Sequence, residues 1–180
     1  IFHIKIELIY FYMKCINTNT MGHSYSCLTV YPESKYLPQE IDPKKIDHFV
    51  PPVNSGRVIK VYDGDTITIA SKLPGLKHSP IYKFSVRLNG IDTPEMRGKN
   101  DDEKEMAHTA RDALSERIFG KDVFLKNVQT EKYGRLLCDV YLEKENLNQW
   151  MIEKRYAMPY DGGTKVSPVS WSEYHENNRI

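Results

Sequence analysis

The stretch Arg57-Val58-Ile59-Lys60-Val61-Tyr62-Asp63-Gly64-Asp65-Thr66-Ile67-Thr68-Ile69-Ala70 reads as two strands folded back on each other. Arg57–Tyr62 and Thr66–Ala70 are rich in β-branched residues, and Asp63-Gly64 is a turn dipeptide between them. The turn leaves no room for a helix between the first two strands. A ferredoxin-like sandwich requires one there and is thereby excluded.

Working outward, a polar link containing Pro74-Gly75 leads to a third alternating strand, Tyr82–Leu88. Asp101–Phe119 has the spacing of a helix, with Met106, Ala110, Ala113, Leu114 and Ile118 recurring every three or four residues. Asn100 or Asp101 suits its start and Gly120 its end. Asp122–Val128 and Leu136–Leu142 follow as two more strands, joined through Tyr133-Gly134. Leu147, Trp150 and Met151 mark a second, shorter helix. The order is three strands, helix, two strands, helix. This is an α+β, mainly β pattern, and it fits a five-stranded barrel of the oligonucleotide-binding (OB) type with two or more packed helices.

The 180 residues suffice for one ordinary domain with flanking segments. Residues 56–160 are expected to form that domain, after an extended or weakly ordered arm at 1–55 and before a polar tail at 161–180. The arm carries Pro32, Pro38, Pro43, Pro51 and Pro52 and no sustained period. The first residue is Ile1, which leaves the translation start open, and Ile1–Met13 is too short and too charged to span a membrane. Met21-Gly22-His23-Ser24-Tyr25-Ser26 fits a myristoylation pattern if translation starts at Met21, with Cys27 near enough for a second acyl group. Membrane tethering is expected only in that case; otherwise a soluble, intracellular location is favoured over secretion. In the tail, Trp171 and Tyr174 are placed to dock on the domain, and no long third helix is expected.

The net charge is +1, so no strong global field marks a nucleic-acid partner. A chromatin-coating protein would need a basic surface. Any hold on phosphate must come from a few groups in one cleft. Cys15, Cys27 and Cys138 have neither disulfide nor zinc spacing, and Cys138 reads as a buried free thiol. The six histidines are dispersed.

The groups for such a cleft are present. Asp65 and Asp92 each follow a strand–turn boundary, and two converging carboxylates call for a cation between them. An all-oxygen set favours a hard ion such as Ca²⁺ or Mg²⁺. Glu95 follows Pro94, which holds the chain extended, and is placed to orient or deprotonate a water. Arg87 points away from the face shared by Phe84, Val86 and Leu88, and Arg135 follows Gly134 in a tight turn. Both offer a planar fork for phosphate oxygens. Lys132 and Tyr133 flank that turn, and Tyr160 lies past the second helix; they suit a neighbouring phosphate and a stacked base.

Three blocks, Asp63-Gly64-Asp65-Thr66, Arg87-x4-Asp92-Thr93-Pro94-Glu95 and Lys132-Tyr133-Gly134-Arg135, occur in this order. With Lys104–Leu114 and Leu147–Ala157 they resemble the staphylococcal nuclease (thermonuclease) family over roughly residues 56–160. The resemblance implies an OB fold and a calcium-dependent endo- and exonuclease acting on DNA and RNA, with 5′-oxygen–phosphorus cleavage leaving 3′-phosphates. It implies Asp65, Asp92 and the Thr93 carbonyl as metal ligands, Glu95 as the water-activating group, and Arg87 and Arg135 as catalytic arginines. Mg²⁺ or Mn²⁺ is the alternative ion. Single-stranded substrates and a monomer without an obligate protein partner are expected. The alternative is an inactive oligonucleotide-binding module of the same fold, which the intact carboxylates and arginines disfavour. Two departures stand out. Arg155 occupies the position where the family's second helix usually ends in glycine, and a short polar tail replaces the long carboxy-terminal helix.

Overall fold

In a computed structural model of the chain, residues 37–131 and 133–177 are described. The chain divides after His48. Of the first unit, residues 37–48 are exposed and hold one 3-10 turn, Pro43–Lys45, whose start is capped by Asp42. The acylation pattern at Gly22 and Cys27 lies outside the described residues.

The second unit is an OB-type barrel. Its strands are β1 (Ser55–Val61), β2 (Thr66–Ser71), β3 (Tyr82–Leu88), a short β4 (Ile91–Asp92), β5 (Asp122–Thr130), β6 (Leu136–Leu142), β7 (Glu145–Asn146) and β8 (Met158–Pro159). The helices are α1 (Asp101–Ile118), α2 (Leu147–Glu153) and α3 (Trp171–Glu176). The main sheet runs β3-β2-β1-β5-β6-β7, and β3 also pairs with β6 in parallel, which closes five strands into a barrel. The remaining barrel pairs are antiparallel.

Alternation fills the barrel. Ile67 and Ile69, Val86 and Leu88, Val123 and Leu125, and Leu136, Cys138 and Val140 all point inward, joined by Ala110, Leu114 and Ile118 from α1. Ala107 is buried on α1 and the expected Ala113 only partly so, because the packed stripe runs through 107, 110, 114 and 118 and leaves Ala113 at its flank. Burial, with Asp139 adding, pushes the Cys138 thiol up to about 12, so it is an inert core group. Gly120 ends α1 at φ 75°, a left-handed conformation that suits glycine, and gives its N–H to Val58 of β1 at 3.0 Å.

Residues 49–54, read from sequence as the end of the arm, run beside β5. Val53 is buried, Leu125 donates its N–H to Asn54 O at 2.8 Å, and the Thr130 hydroxyl donates to Phe49 O at 3.1 Å. The tail is likewise built onto the domain. Trp171 is buried, and the Asp102 carboxylate on α1 accepts the N–H groups of Trp171 at 2.8 Å and Ser172 at 3.2 Å. A second tie comes from Arg155, whose φ of 56° lies in the left-handed region where glycine is the easier residue. Its Nε donates to Tyr174 O, and its guanidinium lies 4.2 Å from the Tyr174 ring centre. The strained arginine thereby anchors α3, a task glycine has no side chain for.

Hydrogen bonding from Ser172, above all, holds the Asp102 carboxyl below the usual carboxylate range, against the opposing effect of burial. A depressed native value adds stability that is present above the unfolded value of about 4 and is lost as pH falls through the native one. Hydrogen-exchange protection of the Trp171 and Ser172 amides should therefore drop on acidification below about pH 4. In Asp102→Ala it should already be low at neutral pH.

Candidate active site

Three pieces of backbone meet at the mouth of the barrel. The first is the β1–β2 turn. Tyr62 N–H closes it onto Thr66 O at 2.9 Å, and Asp63 accepts the Asp65 N–H on its side chain at 3.2 Å. Gly64 is there for room rather than for an unusual backbone angle. A Cβ on it would stand 2.9 Å from Thr93 Cγ2 and 3.2 Å from Ala110 Cβ. The glycine thus lets the turn carrying Asp65 press against the segment carrying Asp92 and Thr93.

The second piece is the β3–β4 turn. Gly90 has φ 77°, and its carbonyl accepts the Tyr160 N–H at 2.9 Å. β4 pairs with β8, placing Asp92 opposite Met158. Asn148, a buried polar residue on α2, locks this turn to the barrel. Its Oδ1 accepts the Val140 N–H at 2.9 Å, and its Nδ2 donates to Asn89 O at 2.7 Å and Cys138 O at 3.2 Å. The third piece is the tail, which delivers Lys165.

Arg87 faces away from the core, as alternation in β3 requires. Its Nη1 lies 2.5 Å from Asp65 Oδ2, and its Nη2 lies 3.8 Å from Asp92 Oδ1 and 3.5 Å from the Ile91 carbonyl. Asp65 and Asp92 are each only 4% exposed. Thr66 donates its hydroxyl to Asp65 Oδ1 at 2.8 Å. Burial pushes Asp65 up to about 7, helped by Asp63 and pulled back by Arg87 and Thr66. Asp92 Oδ1 is sealed from solvent and has no hydrogen-bond donor among the described residues. Lys165 Nζ nevertheless stands 2.7 Å from it as a charge, and also 2.7 Å from Glu95 Oε1, to which it donates. Burial opposes the Lys165 charge, but the two carboxylates outweigh it and bind its proton more tightly than in an ordinary lysine.

The structure therefore brings Asp65, Arg87, Asp92 and Glu95 together, with Thr93 buried beside them. Arg135 stands apart from that cluster. It immediately precedes β6, two residues ahead of Leu137, the parallel partner of Arg87. Strand alternation puts both arginines on the outer face of adjacent strands. In this state Arg135 Nε is paired with Glu131, and its guanidinium lies 6.0 Å from the Tyr133 ring centre. Tyr133 is 87% exposed. Tyr160 adjoins Gly90 through its backbone, and its hydroxyl donates to Gly163 O at 3.0 Å. Lys132 lies outside the described residues.

Sequence reading missed Lys165 and Asn148. Nothing marks a lone lysine in a polar tail. Asn148 carries a faint signal, a polar residue beside Leu147 in the apolar seam of a helix.

The sequence profile described as staphylococcal nuclease homologue matches residues 85–174, half of the chain. The chain belongs to the staphylococcal nuclease family. An uncharacterized endonuclease of Haemophilus influenzae is 33% identical over 107 residues, 59% of this chain and 53% of that protein. An uncharacterized endonuclease of Escherichia coli O157:H7 is 29% identical over 127 residues, 69% of this chain and 74% of that protein. A micrococcal nuclease of Shigella flexneri is 26% identical over 133 residues, 69% and 68% of the two chains. The chain thus spans about half the length of the Haemophilus relative and about three quarters of the Escherichia one.

The donor chemistry fits the metal dependence general in this family. Asp65 and Asp92 are hard oxygen donors flanking one guanidinium, and Asp92 Oδ1 is a buried anionic oxygen without a hydrogen bond. Among the described residues no three His, Cys, Asp or Glu side chains form a ready-made cage. Backbone and water must therefore complete the shell, as hard cations readily allow.

Because the approach of the two acidic segments depends on Gly64, Gly64→Ala should lower unfolding free energy by about 1–3 kcal/mol in urea denaturation. Unchanged stability would mean that the Thr93 and Ala110 side chains yield freely.

Proposed function

We propose that the protein is a calcium-dependent nuclease that hydrolyses phosphodiester bonds of DNA and RNA, cutting the 5′-oxygen–phosphorus bond and leaving 3′-phosphates. The observation that carries this reading is the position of Arg87 between two nearly sealed carboxylates, Asp65 and Asp92. Family membership and the endonuclease names of the relatives support the reaction class. The hard oxygen set supports calcium, with Mg²⁺ or Mn²⁺ as the alternative.

Asp65, Asp92 and the Thr93 carbonyl would hold the cation, which when bound supplies positive charge to a phosphoryl oxygen and a place for water. Glu95, on the open side of the cluster, orients the attacking water and takes its proton. The water oxygen bonds to phosphorus, the bond to the 5′ oxygen breaks, and that oxygen leaves as a hydroxyl by taking a proton from solvent, to which Glu95 returns its own. Arg87 is stationed beside the two carboxylates before substrate arrives, and its fork turns from Asp65 to the phosphoryl oxygens. Arg135 exchanges Glu131 for a phosphoryl oxygen when substrate enters. A contact that tightens as charge builds on the phosphoryl oxygens stabilises the transition state more than the ground state. Tyr133, almost wholly exposed, offers a face for a base; Lys132, its neighbour in sequence, suits an adjoining phosphate, and Tyr160 is a further aromatic candidate. Stacking of this kind favours single strands and reads little sequence. The protein acts as a monomer in this reading.

Purified protein should degrade single-stranded DNA with calcium and stop when a chelator is added. Cleavage untouched by chelation rejects the metal-dependent mechanism, and no cleavage at all favours a binding module. Arg135→Gly should slow turnover by roughly 10²–10³-fold with the fold retained, the scale expected for loss of one donor to the transition-state charge. The measurement is single-turnover kinetics on a labelled oligonucleotide, beside a circular dichroism melt.

A further inference from the structure

Lys165 reaches the site from the tail, outside the three blocks that carry the resemblance. We propose that Lys165 is the resident cation of the carboxylate cluster, holding Asp92 and Glu95 until a divalent ion takes Asp92, and that it thereby sets the affinity for that ion. The proposal rests on the metal-dependent reading above.

The geometry forces the competition. The Lys165 ammonium stands 2.7 Å from Asp92 Oδ1, the buried oxygen that lacks a hydrogen bond. A hard cation bound through the same oxygen would lie about 2.0–2.6 Å from it. Two positive charges cannot share one carboxylate oxygen at those distances without strong repulsion, least of all where solvent is excluded. Arg87 cannot fill the same role, since its closer contact is Asp65 at 2.5 Å, against 3.8 Å to Asp92.

The tail is built to let the ammonium leave. Residues 160–170 contain no helix or strand, yet both ends are fixed. At one end Tyr160 N–H is bonded to Gly90 O, and at the other Asp102 caps the buried Trp171. Lys165 sits midway, with 44% of its side chain exposed, so it can swing outward while the anchors hold. Its departure also frees Glu95, which it otherwise ties by a hydrogen bond of 2.7 Å. Cation binding and release of the water-handling glutamate are then one event.

Calorimetric titration of CaCl₂ into chelator-stripped protein tests this without reference to turnover. Lys165→Met should bind calcium roughly tenfold more tightly than wild type, the usual scale of coupling between competing ligands. Lys165→Arg, which keeps the charge, should stay near wild type. Lys165→Gln serves as a second neutral variant, and thermal melts check that each variant is folded. Equal or weaker calcium binding by the folded neutral variants overturns the proposal and leaves the metal-dependent reading standing. Absence of calcium binding in wild type and variants alike overturns both.

Discussion

Two carboxylates almost sealed from water dominate this structure. Asp65 and Asp92 come from different segments of the chain; burying both costs desolvation, and Asp65 also feels the charge of Asp63. Arg87 offsets part of that cost from the barrel side, and Lys165 offsets part from the tail side. Much else follows from the need to hold this arrangement. Gly64 has no side chain so that the acidic segments can meet, Asn148 fixes the second of them to β6, and Asp102 with Arg155 keeps the tail in reach.

The barrel and its chemistry were legible to different degrees. Period-two alternation in Thr66–Ala70, Tyr82–Leu88 and Leu136–Leu142, with a turn too tight for a helix, was enough for the OB architecture. These signals are local, and local signals survive in a sequence. The convergence of Asp65, Arg87, Asp92 and Glu95 was legible because each sits at a strand end or beside a proline, where direction follows from backbone rules. Arg135 was legible as a residue but not in its pairing. Its i to i+4 relation to Glu131 crosses a turn rather than a helix, so no periodicity announces it.

What could not be read is what depends on long-range packing. Lys165 lies in a segment with no period, and its role arises only because Trp171 is buried against α1 and draws the tail across the cleft. The short β4 and β8 strands were invisible for a similar reason: two residues cannot show alternation. Arg155 is instructive in another way. By rule a helix end in the left-handed conformation wants glycine, and the departure makes sense only once its guanidinium is seen across the Tyr174 ring.

The parallel pairing of β3 with β6 bears on how the molecule assembles. β1, β2 and β3 form a meander of neighbours in sequence, and within it Asp65 already lies beside Arg87. The β3–β6 pair instead joins residues about fifty positions apart, such as Val86 and Leu136. Closing so long a loop carries an entropic cost that delays such contacts. By the same argument the strands that carry Arg87 and Arg135 are expected to pair after the β1–β2–β3 meander that sets Asp65 beside Arg87.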